Sequence, residues 1–423
     1  MQNCSLAVIF SLIAIIVLTV QSSSAAEGEW SFNIVDSCYD AVDYFNSSIH
    51  LDSKERPQVV FQRDANRGSG LSYARREGDT WKTQAIEDDG SVFSIHFALD
   101  GSDVPHILYS IFNCPAEGLK YAAADGMKWE KATIYSKPSP PKEDMLKRFG
   151  CDSYSLGLMV SDSNDLATDK NGGVHIVYAD PESEKVVYGY RPKGAKNWTL
   201  ESLEKVGNHK LTCSRIMPLV RVSPTGEIWV IYKRYTEEKT TNGVRTVRIE
   251  LRLAVKVGSE WKYSTITDKL GFIDGASKVF FGKAGECLVA YSVCCQSRFN
   301  DPATTWVLVQ LKNGQWVERY EGESREQLLT AAWLGEHFNI LVTRVRPDRP
   351  ADGTVLQDKL VCLGASADWK WKAKDLLQLK NRRVLAVDLS QTGDVYALFF
   401  SSGSPSTLEC GILKAWADWL KSN

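Results

Sequence analysis

Phe97-Ala98-Leu99-Asp100, Gly101-Ser102-Asp103, Pro105-His106-Ile107-Leu108-Tyr109, Leu119-Lys120-Tyr121-Ala122-Ala123, Asp125-Gly126, Trp129 and Ala132-Thr133-Ile134 follow one another along one stretch of the chain. Apolar phrases with period-two alternation, broken by Gly/Asp turns, predict four short antiparallel strands. The same phrase returns as Pro57-Gln58-Val59-Val60-Phe61 with Gly70-Leu71-Ser72-Tyr73-Ala74, and as Val174-His175-Ile176-Val177-Tyr178 with Val186-Val187-Tyr188. Later copies drift, as in Ile228-Trp229-Val230-Ile231-Tyr232, Cys287-Leu288-Val289-Ala290-Tyr291, Phe338-Asn339-Ile340-Leu341-Val342 and Val395-Tyr396-Ala397-Leu398-Phe399.

A tryptophan after a short turn marks each copy: Trp30, Trp81, Trp129, Trp198, Trp261, Trp316 and Trp371, spaced by 51, 48, 69, 63, 55 and 55 residues. A period of this size built from short strands is the signature of a β-propeller. The last unit, from Val384 to about Trp416, supplies three strands, and Trp30-Ser31-Phe32-Asn33-Ile34-Val35 has the form of the missing outer strand. The expected fold is therefore all-β: a seven-bladed β-propeller of four-stranded antiparallel blades, closed by the N-terminal strand joining the C-terminal blade. Joining the ends in one sheet removes the exposed edges of an open ring. The repeated tryptophans are expected to pack between blades.

The chain opens with the uncharged apolar run Leu6 to Val20, followed by small polar residues ending in Ser23-Ser24-Ala25-Ala26. That run is short for a membrane span and fits a secretory signal peptide. The expected organisation is a signal peptide over residues 1–25 and a single propeller domain over 26–423, secreted to the periplasm or the extracellular space. Net charge is −2 with no basic block, which argues against nucleic acid and anionic membranes as partners. After signal cleavage no membrane contact is expected, and the protein is read as a monomer. Of ten cysteines, nine follow the signal segment, and none shows C-x-x-C spacing. No metal and no other cofactor are expected. Cys114 and Cys151 are the first candidates for a disulfide in an oxidising compartment, whereas Cys287, Cys362 and Cys410 lie within strands and are expected to be buried thiols. Asn46-Ser47-Ser48 and Asn197-Trp198-Thr199 are glycosylation sequons.

The Gly-x-x-Trp strings at Gly78 to Trp81 and Gly126 to Trp129 resemble the Asp-box (BNR-type) repeat, Ser-x-Asp-x-Gly-x-x-Trp, of sialidase-like propellers. The resemblance extends over the whole chain after the signal segment. It implies a propeller of the kind found in sialidases, polysaccharide lyases and some lectins, with a glycan or acidic polysaccharide as partner. The nearest counterpart of the sialidases' Arg-Ile-Pro string is Arg215-Ile216-Met217-Pro218, interrupted and in mid-chain, which argues against sialidase activity itself.

In a propeller, the loops joining outer to next inner strand, and second to third strand, share one face around the central channel, the usual ligand site. Arg63, Arg234 and Arg344 stand at the ends of second strands, Arg298 lies in the blade-five loop, and Arg215 precedes the inner strand of blade four. The planar fork of arginine suits a carboxylate or sulfate. Arg63, His50, Arg234, Arg298 and Arg344 are the candidate substrate-binding residues. His96, Tyr154, Tyr235 and Arg215 are the candidate catalytic residues, because elimination from a uronic acid needs a base, a proton donor and a cation on the carboxylate. His106, His175 and His337 recur at one far position of the second strand and are read as structural. A hydrolase would need two carboxylates instead, and Asp152, Asp162 and Asp301 are available without a distinguished pair. A non-catalytic lectin or protein-interaction propeller is the alternative.

Overall fold

The computed structural model describes residues 30–38, 47–63, 70–88, 91–113, 116–125, 128–138, 163–180, 183–206, 216–241, 244–268, 277–282, 285–294, 304–322, 326–334, 337–345, 357–366, 368–380, 382–401 and 406–414. They form β-strands and, among the described residues, no helix. The first strand is β1 (Trp30–Cys38). Blade one is β2 (Ser47–Leu51), β3 (Pro57–Arg63), β4 (Gly70–Glu77) and β5 (Thr80–Glu87). Blade two is β6 (Ser91–Leu99), β7 (Pro105–Asn113), β8 (Ala116–Asp125) and β9 (Lys128–Pro138). Blade three is β10 (Asn164–Thr168), β11 (Val174–Asp180), β12 (Lys185–Arg191) and β13 (Thr199–Lys205). Blade four is β14 (Leu219–Val222), β15 (Ile228–Thr241), β16 (Val244–Val257) and β17 (Glu260–Thr267). Blade five is β18 (Lys278–Phe281), β19 (Cys287–Cys294), β20 (Thr304–Lys312) and β21 (Gln315–Glu321). Blade six is β22 (Glu326–Leu334), β23 (His337–Val345), β24 (Gln357–Ala365) and β25 (Trp371–Gln378). Blade seven is β26 (Arg382–Leu389), β27 (Val395–Ser401) and β28 (Ser406–Leu413), with β1 as its outer strand.

Every blade is a four-stranded antiparallel sheet in sequential order, and β1 pairs with β28 from Trp30↔Leu413 to Cys38↔Ser406. Inner strands of neighbouring blades adjoin, including β26 against β2, which closes the ring. The seven-bladed propeller and its closure by the N-terminal strand are as expected from the repeat.

Two kinds of turn set the repeat. Between first and second strands a side chain caps the chain reversal: Asp52 Oδ1 accepts from Lys54 N and Arg56 N, each at 2.9 Å. Asp100 Oδ1 does so from Ser102 N (2.8 Å) and Val104 N (2.9 Å), and Asp169 Oδ1 from Asn171 N and Gly173 N, both at 2.8 Å. In blades four and seven Ser223 Oγ and Ser390 Oγ take over, accepting from Glu227 N at 2.9 Å and Asp394 N at 2.8 Å. Asp and Ser serve here because a short acceptor can reach its own backbone a few residues on. Between third and fourth strands the hairpin before the tryptophan needs positive φ, supplied by Asn313-Gly314 (51° and 77°) in blade five and by Gly78 (63°) in blade one. That requirement is why glycine persists in Gly-x-x-Trp.

The tryptophans fill the junctions. Trp129 Nε1 donates to Gln84 Oε1 (3.3 Å), Trp261 Nε1 to Glu201 Oε2 (2.9 Å), Trp371 Nε1 to the Arg319 carbonyl (3.3 Å) and Trp30 Nε1 to the Leu376 carbonyl (3.0 Å). Each acceptor lies on the outer strand of the preceding blade, so the residue ties successive blades as expected. The Trp261 ring is half-buried against the junction core. Trp261→Ala should cost about 3 kcal/mol, the lower end for a large-to-small change. Urea unfolding with an unchanged midpoint would contradict this packing role.

Cys287, Cys362 and Cys410 are buried free thiols, as expected, and burial raises all three, Cys287 and Cys410 to about 12. Cys114 and Cys151 lie outside the described residues. His106 and His175 are structural: His106 Nδ1 meets Tyr121 Oη at 2.5 Å, and His175 Nδ1 meets Tyr188 Oη at 2.7 Å. Burial pushes His106 down to about 4. In blade one Gln58 holds this place and accepts from Tyr73 Oη at 2.5 Å. His337 does not share the position. It pairs with Leu334, while buried Asn339, opposite Ala332, stands where His106 faces Ala98 and His175 faces Ala167. Only two residues separate β22 from β23, and the phase of blade six is shifted.

Candidate functional site

On the inner strands Phe97, Leu166, Val220 and Val279 are buried in the junction cores. Period-two geometry therefore turns their neighbours His96, Asp165, Arg221 and Lys278 towards the central channel. The side chains of His96 and Arg221 keep 31% and 37% exposure, consistent with that direction. These residues come from four consecutive blades; the first three are joined by direct contacts, and Lys278 feels the charges of Arg221 and Asp165. His96 Nδ1 lies 2.9 Å from Asp165 Oδ1, and Arg221 Nη1 donates to Asp165 Oδ2 at 2.6 Å. The Val220 amide donates to the same Oδ2 at 2.9 Å.

Asp165 is buried, which alone would raise its carboxyl. Arg221, His96 and the Val220 amide outweigh that burial and hold it below the usual carboxylate range. For Lys278, burial and then the Arg221 charge push the ammonium down to about 8, against an opposing pull from Asp165.

The backbone beneath His96 is specialised. Ser94 has φ of 47°, within a register shift of β6 between Phe93 and His96. Such a bulge re-aims the next side chain at a modest conformational cost. Ser94 Oγ lies 3.1 Å from His96 Nε2, and Asn164 Nδ2 donates to Ser94 Oγ at 3.3 Å. Both ring nitrogens of His96 therefore have fixed partners. With Asp165 on Nδ1, the tautomer that leaves Nε2 as an acceptor is favoured.

Of the other residues singled out in the sequence, His50 stands apart from this cluster, edge-on to Phe97 at 5.2 Å. Its Nδ1 is 3.6 Å from Asp388 Oδ2, which also accepts from Leu51 N at 2.9 Å. Arg234 is held between two carboxylates, Glu204 at 2.6 Å and Glu250 at 2.7 Å. Tyr235 is buried, with its amide on the Val206 carbonyl at 2.9 Å. Arg344 pairs with buried Glu326 at 3.0 Å. Arg63 ends β3, opposite Gly70. Tyr154, Arg215 and Arg298 lie outside the described residues. The structure thus keeps His96 in a polar cluster and engages Arg234 and Arg344 in local ion pairs.

Asp165, Arg221 and Lys278 were not singled out from the sequence, yet a signal exists. His96, Asp165 and Lys278 each stand four residues before the turn residue of their blade (Asp100, Asp169, Gly282), while His50, Arg221 and Asp388 stand two before theirs (Asp52, Ser223, Ser390). Ionisable residues at equal phase on successive inner strands must converge on the axis.

No protein family profile matches the sequence, and no curated protein does. Solved structures do match in fold. The polysaccharide lyase Uly1 is 11% identical with a TM-score of 0.52, covering 93% of this chain and 94% of its own. An ulvan lyase bound to -[GlcA(1-4)Rha3S]- is 11% identical with a TM-score of 0.52, covering 92% and 97%. The NanB sialidase of Streptococcus pneumoniae is 10% identical with a TM-score of 0.44, covering 90% and 70%. The two lyases share the fold of this chain.

Proposed function

We propose that this protein is an exported polysaccharide lyase that cleaves a uronate-containing acidic glycan in the channel mouth. The observation that carries the reading is Asp165, which joins His96 to Arg221 beside a lysine of lowered pKa. Arg221 and Lys278 offer two cations to a substrate carboxylate, stabilising the negative charge that develops when the C5 proton leaves. His96, oriented by Asp165 through Nδ1, takes that proton on Nε2 once substrate displaces the Ser94 hydroxyl. The C5 electron pair becomes the C4=C5 double bond, the C4–O4 bond breaks, and the departing oxygen takes a proton from solvent water, while His96 later returns its own proton to solvent. A hydrolase would instead need a pair of free carboxylates, and Asp165 is occupied by His96, Arg221 and Val220. The fold-level likeness to the two lyases agrees with this reading.

The test is product analysis on uronate-rich polysaccharides: wild type should release products carrying a 4,5-double bond, and His96→Ala should not. A saturated product would overturn the elimination.

The pH profile has a definite sign. Lys278 is a cation below about 8 and loses its charge above. Carboxylate capture therefore weakens as pH rises through 8, and kcat/KM should fall there, since it reports groups of the free enzyme. Lys278→Arg keeps its charge well above that pH and should move the alkaline limb upward. An identical limb in both proteins would exclude Lys278 from substrate binding.

Export through residues 1–25 belongs to the same proposal. Protein purified from the medium or periplasm should begin at Ala26.

A further inference from the structure

We infer a second binding site, for an anionic sugar unit, in the cleft between blades one and two on the face opposite the channel mouth. At the next two junctions the equivalent cleft is filled by the protein itself. Arg191 of blade three lies over the Tyr121 ring of blade two, 4.3 Å from its centroid, and donates to Tyr121 Oη at 2.6 Å. Lys256 of blade four lies over Tyr188 of blade three at 5.3 Å. In both cases the repeat tryptophan of the later blade meets that tyrosine edge-on: Trp198 with Tyr121 at 5.2 Å, Trp261 with Tyr188 at 5.1 Å.

The first junction keeps the aromatic pair, Trp129 edge-on to Tyr73 at 5.3 Å. The filling cation is missing. Arg191 stands three residues after Tyr188, and Ala124 stands three after Tyr121. Ala124 pairs with Trp129 as Lys256 pairs with Trp261. The space left is a pocket of about 370 Å³ with Ala124 in its wall, within the about 300–1,000 Å³ typical of small-ligand sites.

The wall is cationic. Lys54, Arg56, Arg75, Arg76 and Lys82 line it with the carboxylates Asp52 and Asp103, while Glu77 pairs with Arg75 at 2.6 Å and with Lys82 at 2.5 Å, and exposed Asp79 pairs with Arg76 at 3.3 Å. Asp52 is paired with Arg56 at 2.7 Å, and Asp103 accepts from Ser53 N at 2.8 Å and Ser53 Oγ at 2.5 Å. The five cations still outnumber these four carboxylates, and Lys54 is left over among them, which favours a carboxylate or sulfate over a foreign cation in the place of Arg191. The floor suits hydroxyl groups. Gln58 Oε1 is used by Tyr73 (2.5 Å) and Gln84 Oε1 by Trp129 (3.3 Å), which leaves the amide nitrogens of both as donors. Cationic rim, amide floor and aromatic wall together describe a site for one uronate or sulfated sugar residue.

The channel site takes the same class of polymer under the function proposed above, so the test removes it first. Binding of an oligoglucuronate, a sulfated neutral oligosaccharide and an uncharged oligosaccharide is measured by titration calorimetry on the full chain carrying Arg221→Ala. The site is expected to retain one of the two anionic oligosaccharides, with carboxylate or sulfate distinguished by which is held, and not the uncharged one. Adding Ala124→Arg, which supplies the side chain that the next junction already packs, should weaken that binding at least tenfold while Tm is unchanged. Absence of binding to the Arg221→Ala protein, equal affinity after Ala124→Arg, or equal affinity for the uncharged sugar would each overturn the site. The single variant Ala124→Arg should keep wild-type turnover on short soluble substrates. A protein without turnover whose binding still responds to Ala124→Arg would sink the lyase reading and leave the cleft site standing.

Discussion

Arg221→Ala is expected to lower kcat/KM on a uronate polymer by about 10²–10³-fold, the scale for removing one preorganised charge from a developing anion. The residue is suited to that task because its orientation is fixed before substrate arrives. Nη1 is anchored on Asp165 Oδ2 at 2.6 Å and also donates to the Val220 carbonyl at 2.6 Å, while 37% of the side chain remains open. His96→Ala should give a loss of about 10²–10⁴-fold, as for a missing general base. The two changes should be strongly non-additive, because both groups act through Asp165. A purely structural role would show otherwise: the variants would lose Tm in proportion to activity. Turnover that survives both single replacements would remove the channel cluster from the mechanism.

Deleting residues 1–38, and with them β1, is expected to abolish the cooperative fold. Trp30, Phe32 and Phe399 form an aromatic knot with centroid distances of 5.6–5.9 Å, and Val35 is buried in the junction core of blades seven and one. Without β1, the whole length of β28 becomes an unpaired edge, and such edges invite association. The combined loss of apolar burial and of a ladder is comparable with the roughly 5–15 kcal/mol that stabilises an ordinary domain. The truncated chain should aggregate or show no two-state transition. A monomer with native Tm would mean that closure contributes nothing to stability.

The fold was legible because it depends on local signals repeated many times. Period-two alternation, Gly78 and Asn313-Gly314 before their tryptophans, and Asp52, Asp100 and Asp169 at the opposite turns each specify a strand or its end. Trp30, detached from its blade by the whole chain length, was placed by its likeness to the other outer strands. The site was less legible for the converse reason. His96 stood out by its residue type, but Asp165, Arg221 and Lys278 come from different blades, and no spacing in a single segment marks their convergence. Arg234 and Arg344 illustrate the opposite error. Their type and position suggested substrate binding, but Glu204, Glu250 and Glu326, which engage them, sit on other strands and are visible only in three dimensions. The misplacement of His337 has a local cause, since only two residues separate β22 from β23, and Asn339 stands where blades two and three carry histidine.

The measurement that bears most directly on the proposed activity is mass spectrometry of the products released by the purified protein from a panel of uronate-containing and sialylated glycans. Elimination gives products one water lighter than hydrolysis would, with His96→Ala inactive on the same substrate. Hydrated products, or no products from the wild-type protein on any uronate polymer, would contradict the assignment of the His96–Asp165–Arg221 cluster to elimination.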